Sequence, residues 1–86
     1  MIKDYLGHEI NIGDILLYNG KGCHGYCSSF SEGVVVAINR GKPEICDLDD
    51  LDEYKNRDKY HSYTNVKFAA NTINLTALDI RERVDV

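Results

Sequence analysis

The chain has 86 residues, 43% hydrophobic and 28% charged, with net charge −4, one Pro and no Trp. That describes a single globular domain near the lower limit of independent folding and excludes a disordered chain. No apolar run nears the ~20 residues of a membrane helix, and the acidic balance counts against a general nucleic-acid binder, whose affinity comes from Lys and Arg on phosphates. The opening MIKDYLGHEI has no apolar stretch of secretory length, so no signal peptide and a cytoplasmic setting are expected. The three Cys are an odd number, which fits reduced thiols better than a disulfide framework.

In chain order, residues 2–10 read as a short strand turning at Gly7. Ile10 and Ile12 alternate into a second turn at Gly13-Asp14, and NIGDILLY (11–18) carries the alternation onward. Ile15, Leu17 and Ala37 fit one face of the following strands, with Leu16 and Tyr18 on the other. After a Gly- and Ser-rich loop (19–31), EGVVVAINRG (32–41) holds a nearly continuous β-branched run, Gly33 to Ile38. Such a run predicts a strand covered on both faces. Asn39-Arg40-Gly41-Lys42-Pro43 is a turn, and Glu44 to Leu48 alternates as a short strand with Ile45 opposed to Cys46. The segment 49–63 lacks apolar periodicity beyond Leu51 and the tyrosines and reads as a long polar excursion, the most mobile or partner-ordered part. Two further stretches, 64–69 and 72–76, alternate again. Thr76 followed by Asp79 resembles a helix start, placing a short helix or 3₁₀ turn over 77–83.

The pattern NIGDILLY followed by EGVVVAINRG resembles small SH3-like barrels of the KOW type, in which a Gly-Asp turn starts one strand and a Gly-Val-Val strand follows. The opening DYLGHEINIGDILLY also resembles short bacteriophage accessory proteins that pair a Gly turn with I-x-I-G-D. The likeness spans about the first half of the chain. It implies one mostly β domain over 1–86, a small antiparallel SH3-like barrel of about five strands, with a long polar loop and room for one short C-terminal helix. It also implies a phage-type accessory role in the host cytoplasm.

Five constellations could carry chemistry. Cys23 and Cys27, with Cys46 and His61 or His24, supply the thiolate and imidazole ligands zinc prefers. The pair is C-x₃-C without a second knuckle, so three unmetallated thiols are expected and the zinc-stabilised domain is an alternative. Cys23 beside His24 suggests a nucleophile and its base, but sequence neighbours are poorly oriented for that pairing and a small barrel offers no deep cleft. Gly20-Lys21-Gly22 has the parts of an anion nest and reads more simply as hairpin loop. The segment Tyr54 to Tyr63 interleaves Lys55, Arg57 and Lys59 with Tyr60 and His61. Rings beside cations suit single-stranded nucleic acid and equally suit protein interfaces. Finally, Glu44, Asp47, Asp49, Asp50, Asp52 and Glu53 form an acidic run without a base, suited to a basic partner. The run misses the EF-hand order that calcium would need.

Together these features predict a non-catalytic binding module without a cofactor. It would modulate a host or phage protein through loop contacts, with Tyr54, Arg57 and Tyr60 as anchors and Asp49, Asp50 and Asp52 speeding association. The alternative partner is nucleic acid, held KOW-fashion by Lys55, Arg57, Lys59 and the tyrosines. No membrane contact is expected.

Overall fold

The computed structural model describes residues 2–19, 30–56 and 63–86. Five strands form one antiparallel sheet: β1 (Ile15–Asn19), β2 (Phe30–Asn39), β3 (Lys42–Asp47), β4 (Thr64–Val66) and β5 (Ile73–Asn74). Their order is β4-β3-β2-β1-β5. The mostly β, five-stranded antiparallel domain expected from the alternations is present. The sheet is not closed among the described residues, because β4 and β5 are its two edges.

The register follows from the turns. Arg40 (φ 54°) and Gly41 (φ 78°) both take positive φ, the two-residue turn geometry that matches strand twist. The turn closes on the Asn39–Lys42 pair. From there Val35 pairs with Ile45 and Val34 with Cys46, with a register shift between Val35 and Ala37. Neighbouring residues of a strand point to opposite faces, so Val34 and Val35 enter different clusters. Val35 joins Ile10, Leu16, Tyr18 and Ile45 on one face. Val34 joins Ile15, Cys46 and Leu75 on the other. This two-sided burial is the reason β2 reads as a continuous apolar run.

Each face has its own cover. The first is sealed by Ile10 and half-buried Ile2 of the N-terminal segment, with Ala69. That segment folds back on itself at a Lys3–Glu9 bridge. The second is covered by Leu48, Leu51, Tyr54, Tyr63 and Val84. Here the structure corrects two expectations. The stretch 49–63 does not open as an irregular excursion: Leu48–Asp50 is a 3₁₀ turn and Leu51–Lys55 a helical turn, α1. Leu51 and Tyr54 stand three positions apart and so share one face of α1, which turns toward the core. Residues 57–62 lie outside the described residues.

The second correction concerns 77–83, which forms turns and a bend instead of a helix. Thr76 does not cap. Its Oγ1 accepts from the Ile15 amide at 2.9 Å, tying the start of β1 to the C-terminal part. Asn74 Oδ1 accepts the Ala77 amide at 3.1 Å instead, and Asp79 takes a positive φ of 60° that ends the turn. Among the described residues the one α-helical turn is therefore α1, upstream of where the sequence suggested it. Among the described residues no helix is long and apolar enough to cross a membrane.

Candidate functional site

Among the described residues, buried polar side chains gather at one place, where the N-terminal segment, the start of β1, β5 and the C-terminal segment meet. Asp4 Oδ2 accepts the Asn74 amide at 2.6 Å, and its Oδ1 accepts the amides of Leu6 and His8 at 3.0 and 2.7 Å. Burial by itself would raise the Asp4 pKa; the Asn74 and His8 amides, with the charge and side chain of His8, outweigh it and hold the group below its ordinary value. Asp14 Oδ2 accepts from Asn74 Nδ2 and the Asn11 amide, both at 2.9 Å, while Oδ1 accepts from Arg83 Nε at 2.9 Å. The Val84 amide donates to the Gly13 carbonyl at 2.8 Å. Gly13 has φ +95°, and a Cβ there would sit 2.5 Å from the Val84 carbonyl oxygen. The turn and the close approach of the C-terminal segment at Val84 thus require glycine at 13. The carboxylates of Asp4 and Asp14 and the amide of Asn74 are satisfied within this network, while His8 Nδ1 is buried 3.5 Å from Asp4 Oδ2 without a hydrogen-bond partner among the described residues; the network is a structural staple.

The opposite situation holds where the two edges of the sheet face each other. A groove of about 520 Å³ is lined by Leu17, Tyr18 and Asn19 of β1 and Ile73 of β5 on one side, and by Val66 to Phe68 of β4 and its exit on the other, with Tyr5 and Phe30. Tyr5, Phe30 and Phe68 are 73%, 68% and 62% exposed, and Val66 is 53% exposed. Three rings and a Val brought together from three parts of the chain leave an apolar surface that water must cover. On a small domain such a patch marks a contact site. Lys67 is the charged lining residue, and Lys42 Nζ stands 4.5 Å from the Phe68 ring centroid.

A second groove, about 560 Å³, adjoins the first through Tyr18 and is lined also by Ser31, Asp47, Asp49, Asp50, Tyr63, Thr64 and Asn65. Tyr18 is the partition between them. Its ring is buried and lies against Gly33, where an added Cβ would come within 2.8 Å of Cε1. Its hydroxyl donates to Asp47 Oδ2 at 3.2 Å. Burial first, and the Asp47 carboxylate next to it, raise the Tyr18 pKa above its ordinary value, so this hydroxyl stays protonated. Asp47 Oδ1 meanwhile accepts the Asp49 amide at 3.0 Å and starts the 3₁₀ turn. That turn holds Asp49 and Asp50 out at the surface.

The residues singled out by sequence separate accordingly. Asp49 and Asp50 line the acidic groove together, whereas Asp52 is exposed on α1 and does not line it. Tyr54 is half-buried and packs with Leu51 and Tyr63 on the second core cluster, so its ring contributes to packing. Cys46 is fully buried in that same cluster, and its Sγ lies 3.5 Å from the Asp47 carbonyl oxygen. Arg57, Lys59, Tyr60, His61, Cys23, His24 and Cys27 lie outside the described residues. Among the described residues no three His, Cys, Asp or Glu side chains gather as a metal-ligand set. The rings of the seam groove escaped the sequence reading; the available signal was Phe30, a large apolar side chain between two serines.

The family model of a domain of unknown function, DUF7205, matches residues 2–45, just over half of the chain, and the chain belongs to that family. The matched stretch holds Asp4 and Asp14 of the staple and Tyr5, Tyr18 and Phe30 of the groove. No curated protein and no solved structure matches the chain.

Proposed function

We propose that this DUF7205 member is a non-catalytic protein-binding module whose contact surface is the seam groove between β4 and β5. The observation that carries the reading is the exposure of Tyr5, Phe30 and Phe68 in one groove. Aromatic side chains dominate interface energetics because they bury large area with few rotatable bonds. The acidic groove beside it, with Asp49 and Asp50, orients the partner and affects its arrival more than its hold. The setting we assign is the bacterial cytoplasm. The role is that of an SH3-like phage-type accessory protein acting on a host or phage protein, as the I-x-I-G-D opening suggests.

The test is affinity capture from bacterial lysate with the full chain and with a Phe30→Ser, Phe68→Ser variant, each with and without nuclease. The reading expects a protein retained by the wild type after nuclease treatment and lost with the variant. Retention by both, or capture that nuclease abolishes, would contradict it. The latter result would favour nucleic acid, for which stacking on the same rings is the physical alternative.

A further inference from the structure

Resting on that reading, we infer that the groove takes an extended acidic–apolar segment of the partner. One aromatic or large aliphatic side chain occupies the seam, and an Asp or Glu one to three residues away meets Lys67 and Lys42. The two ends of β3 differ in charge, with Glu44 between them accepting from Asn39 Nδ2 and Thr64 Oγ1. The strand starts at Lys42, beside the Arg40-Gly41 turn, and ends at Asp47, ~17 Å away at about 3.3 Å per residue. The Lys67 amide donates to the Pro43 carbonyl at 3.3 Å, which fixes Lys67 at the same basic end. Neither Lys42 nor Lys67 has a salt-bridge partner among the described residues, whereas Arg81 and Arg83 are each paired, to Glu32 and Asp14.

The lining of the groove decides the sign of the partner's charge. Its charged residue is Lys67, and the rim ring Phe68 already carries the Lys42 ammonium on its face. A carboxylate arriving there gains two cations beside an apolar surface that limits hydration; a Lys or Arg would meet like charge. The acidic groove across Tyr18 decides the charge's extent. A single carboxylate at the lysine end is accommodated, but a chain with a phosphate on every nucleotide would carry further charges onto Asp47, Asp49 and Asp50. One local acid next to an apolar anchor is the chemistry that fits both grooves.

The probes are four ligands added to the ¹⁵N-labelled full chain: end-blocked octapeptides with one Phe in a Gly/Ser background and Glu, Gln or Lys two residues later, and an eight-nucleotide oligo-dT. The Glu peptide is expected to shift amides of 17–19, 66–68 and 71–73 and to bind about three- to fivefold more tightly than the Gln peptide, the gain of an exposed charge pair. The Lys peptide should bind weakest. Lys67→Gln should erase the Glu advantage and keep the affinity for the Gln peptide, and Lys42→Gln should reduce that advantage. A Lys peptide that binds as well as the Glu peptide, or an advantage that survives both lysine variants, overturns the inference. Equal groove binding by all three peptides removes the acid preference but leaves the protein-binding reading standing. Shifts with oligo-dT and none with the peptides overturn both, and no groove shift with any probe at millimolar concentration overturns the inference.

Discussion

Asp4 and Tyr5 are adjacent in sequence and opposite in fate. The carboxylate is buried and accepts three backbone amides, while the ring next to it is 73% exposed on the seam groove. The same contrast separates two whole regions. In the staple, the Asp4, Asp14 and Asn74 side chains lie inside and are hydrogen-bonded. In the seam, aromatic side chains lie exposed. A domain this small gains stability from every ring it can bury. Leaving three of them in water beside a well-satisfied polar cluster separates what holds the molecule together from what it offers a partner.

The contrast can be broken from the core outward. The largest effect is expected for Val35→Asp, which places a charge against Ile10, Leu16 and Ile45. Burying an unpaired carboxylate exceeds the stability of a domain of this size, so circular dichroism should report an unfolded chain at 25 °C. A wild-type melting curve would remove β2 from the centre of the sheet.

Next come the staple residues. Asp4→Ala and Asn74→Ala each leave buried partners unsatisfied and should cost about 2–3 kcal/mol in urea unfolding. Because Asn74 Nδ2 donates to Asp14 Oδ2, combining Asn74→Ala with Asp14→Ala should lose less than the sum of the two single losses. The pH dependence has a definite sign. The folded pKa of Asp4 is lowered, so its contribution is fully present above the unfolded value of about 4 and is lost as pH falls through the folded value. Asp4→Ala should therefore flatten the acid limb of the stability curve; an unchanged limb would show that other carboxylates set it.

A smaller loss is expected for Gly33→Ala. The new methyl would meet Ile45 Cγ2 at 2.5 Å and Tyr18 Cε1 at 2.8 Å, an overpacking cost of about 1–3 kcal/mol. Since Tyr18 divides the two grooves, groove amides should shift in the variant's NMR spectrum. The smallest stability effect belongs to the seam: Phe30→Ser with Phe68→Ser should change stability by no more than about 1 kcal/mol, as surface substitutions do, and abolish partner capture. A large loss of stability would place those rings in the core.

What the sequence made legible was local. The alternation around β1, the β-branched run of β2, the Arg40-Gly41 turn and the Ile45/Cys46 split are all nearest-neighbour patterns, and each appears in the structure. What it hid depends on distant partners. Thr76 looks like a helix cap and is instead taken by Ile15, 61 residues away. Nothing in the sequence around Asp4 or the Gly13-Asp14 turn signals burial, yet both carboxylates are bound inside by Asn74. Leu51 and Tyr54 form too short a stripe to announce a single helical turn. The seam groove needs Tyr5, Phe30 and Phe68 at once, and no sequence window contains all three. Of the residues expected to bind, Asp49 and Asp50 line a groove beside the rings, while Tyr54 turns inward because its face of α1 completes the second core cluster.

The most direct measurement of the central claim is amide hydrogen exchange on the full chain, alone and saturated with its captured partner. If the seam is the contact surface, slowed exchange should concentrate at 17–19, 66–68 and 71–73, with the staple amides of Leu6, His8 and Asn74 unchanged because those residues do not line the groove. Protection confined to 48–56 or to 77–86, with the seam amides exchanging as in the free protein, would contradict it.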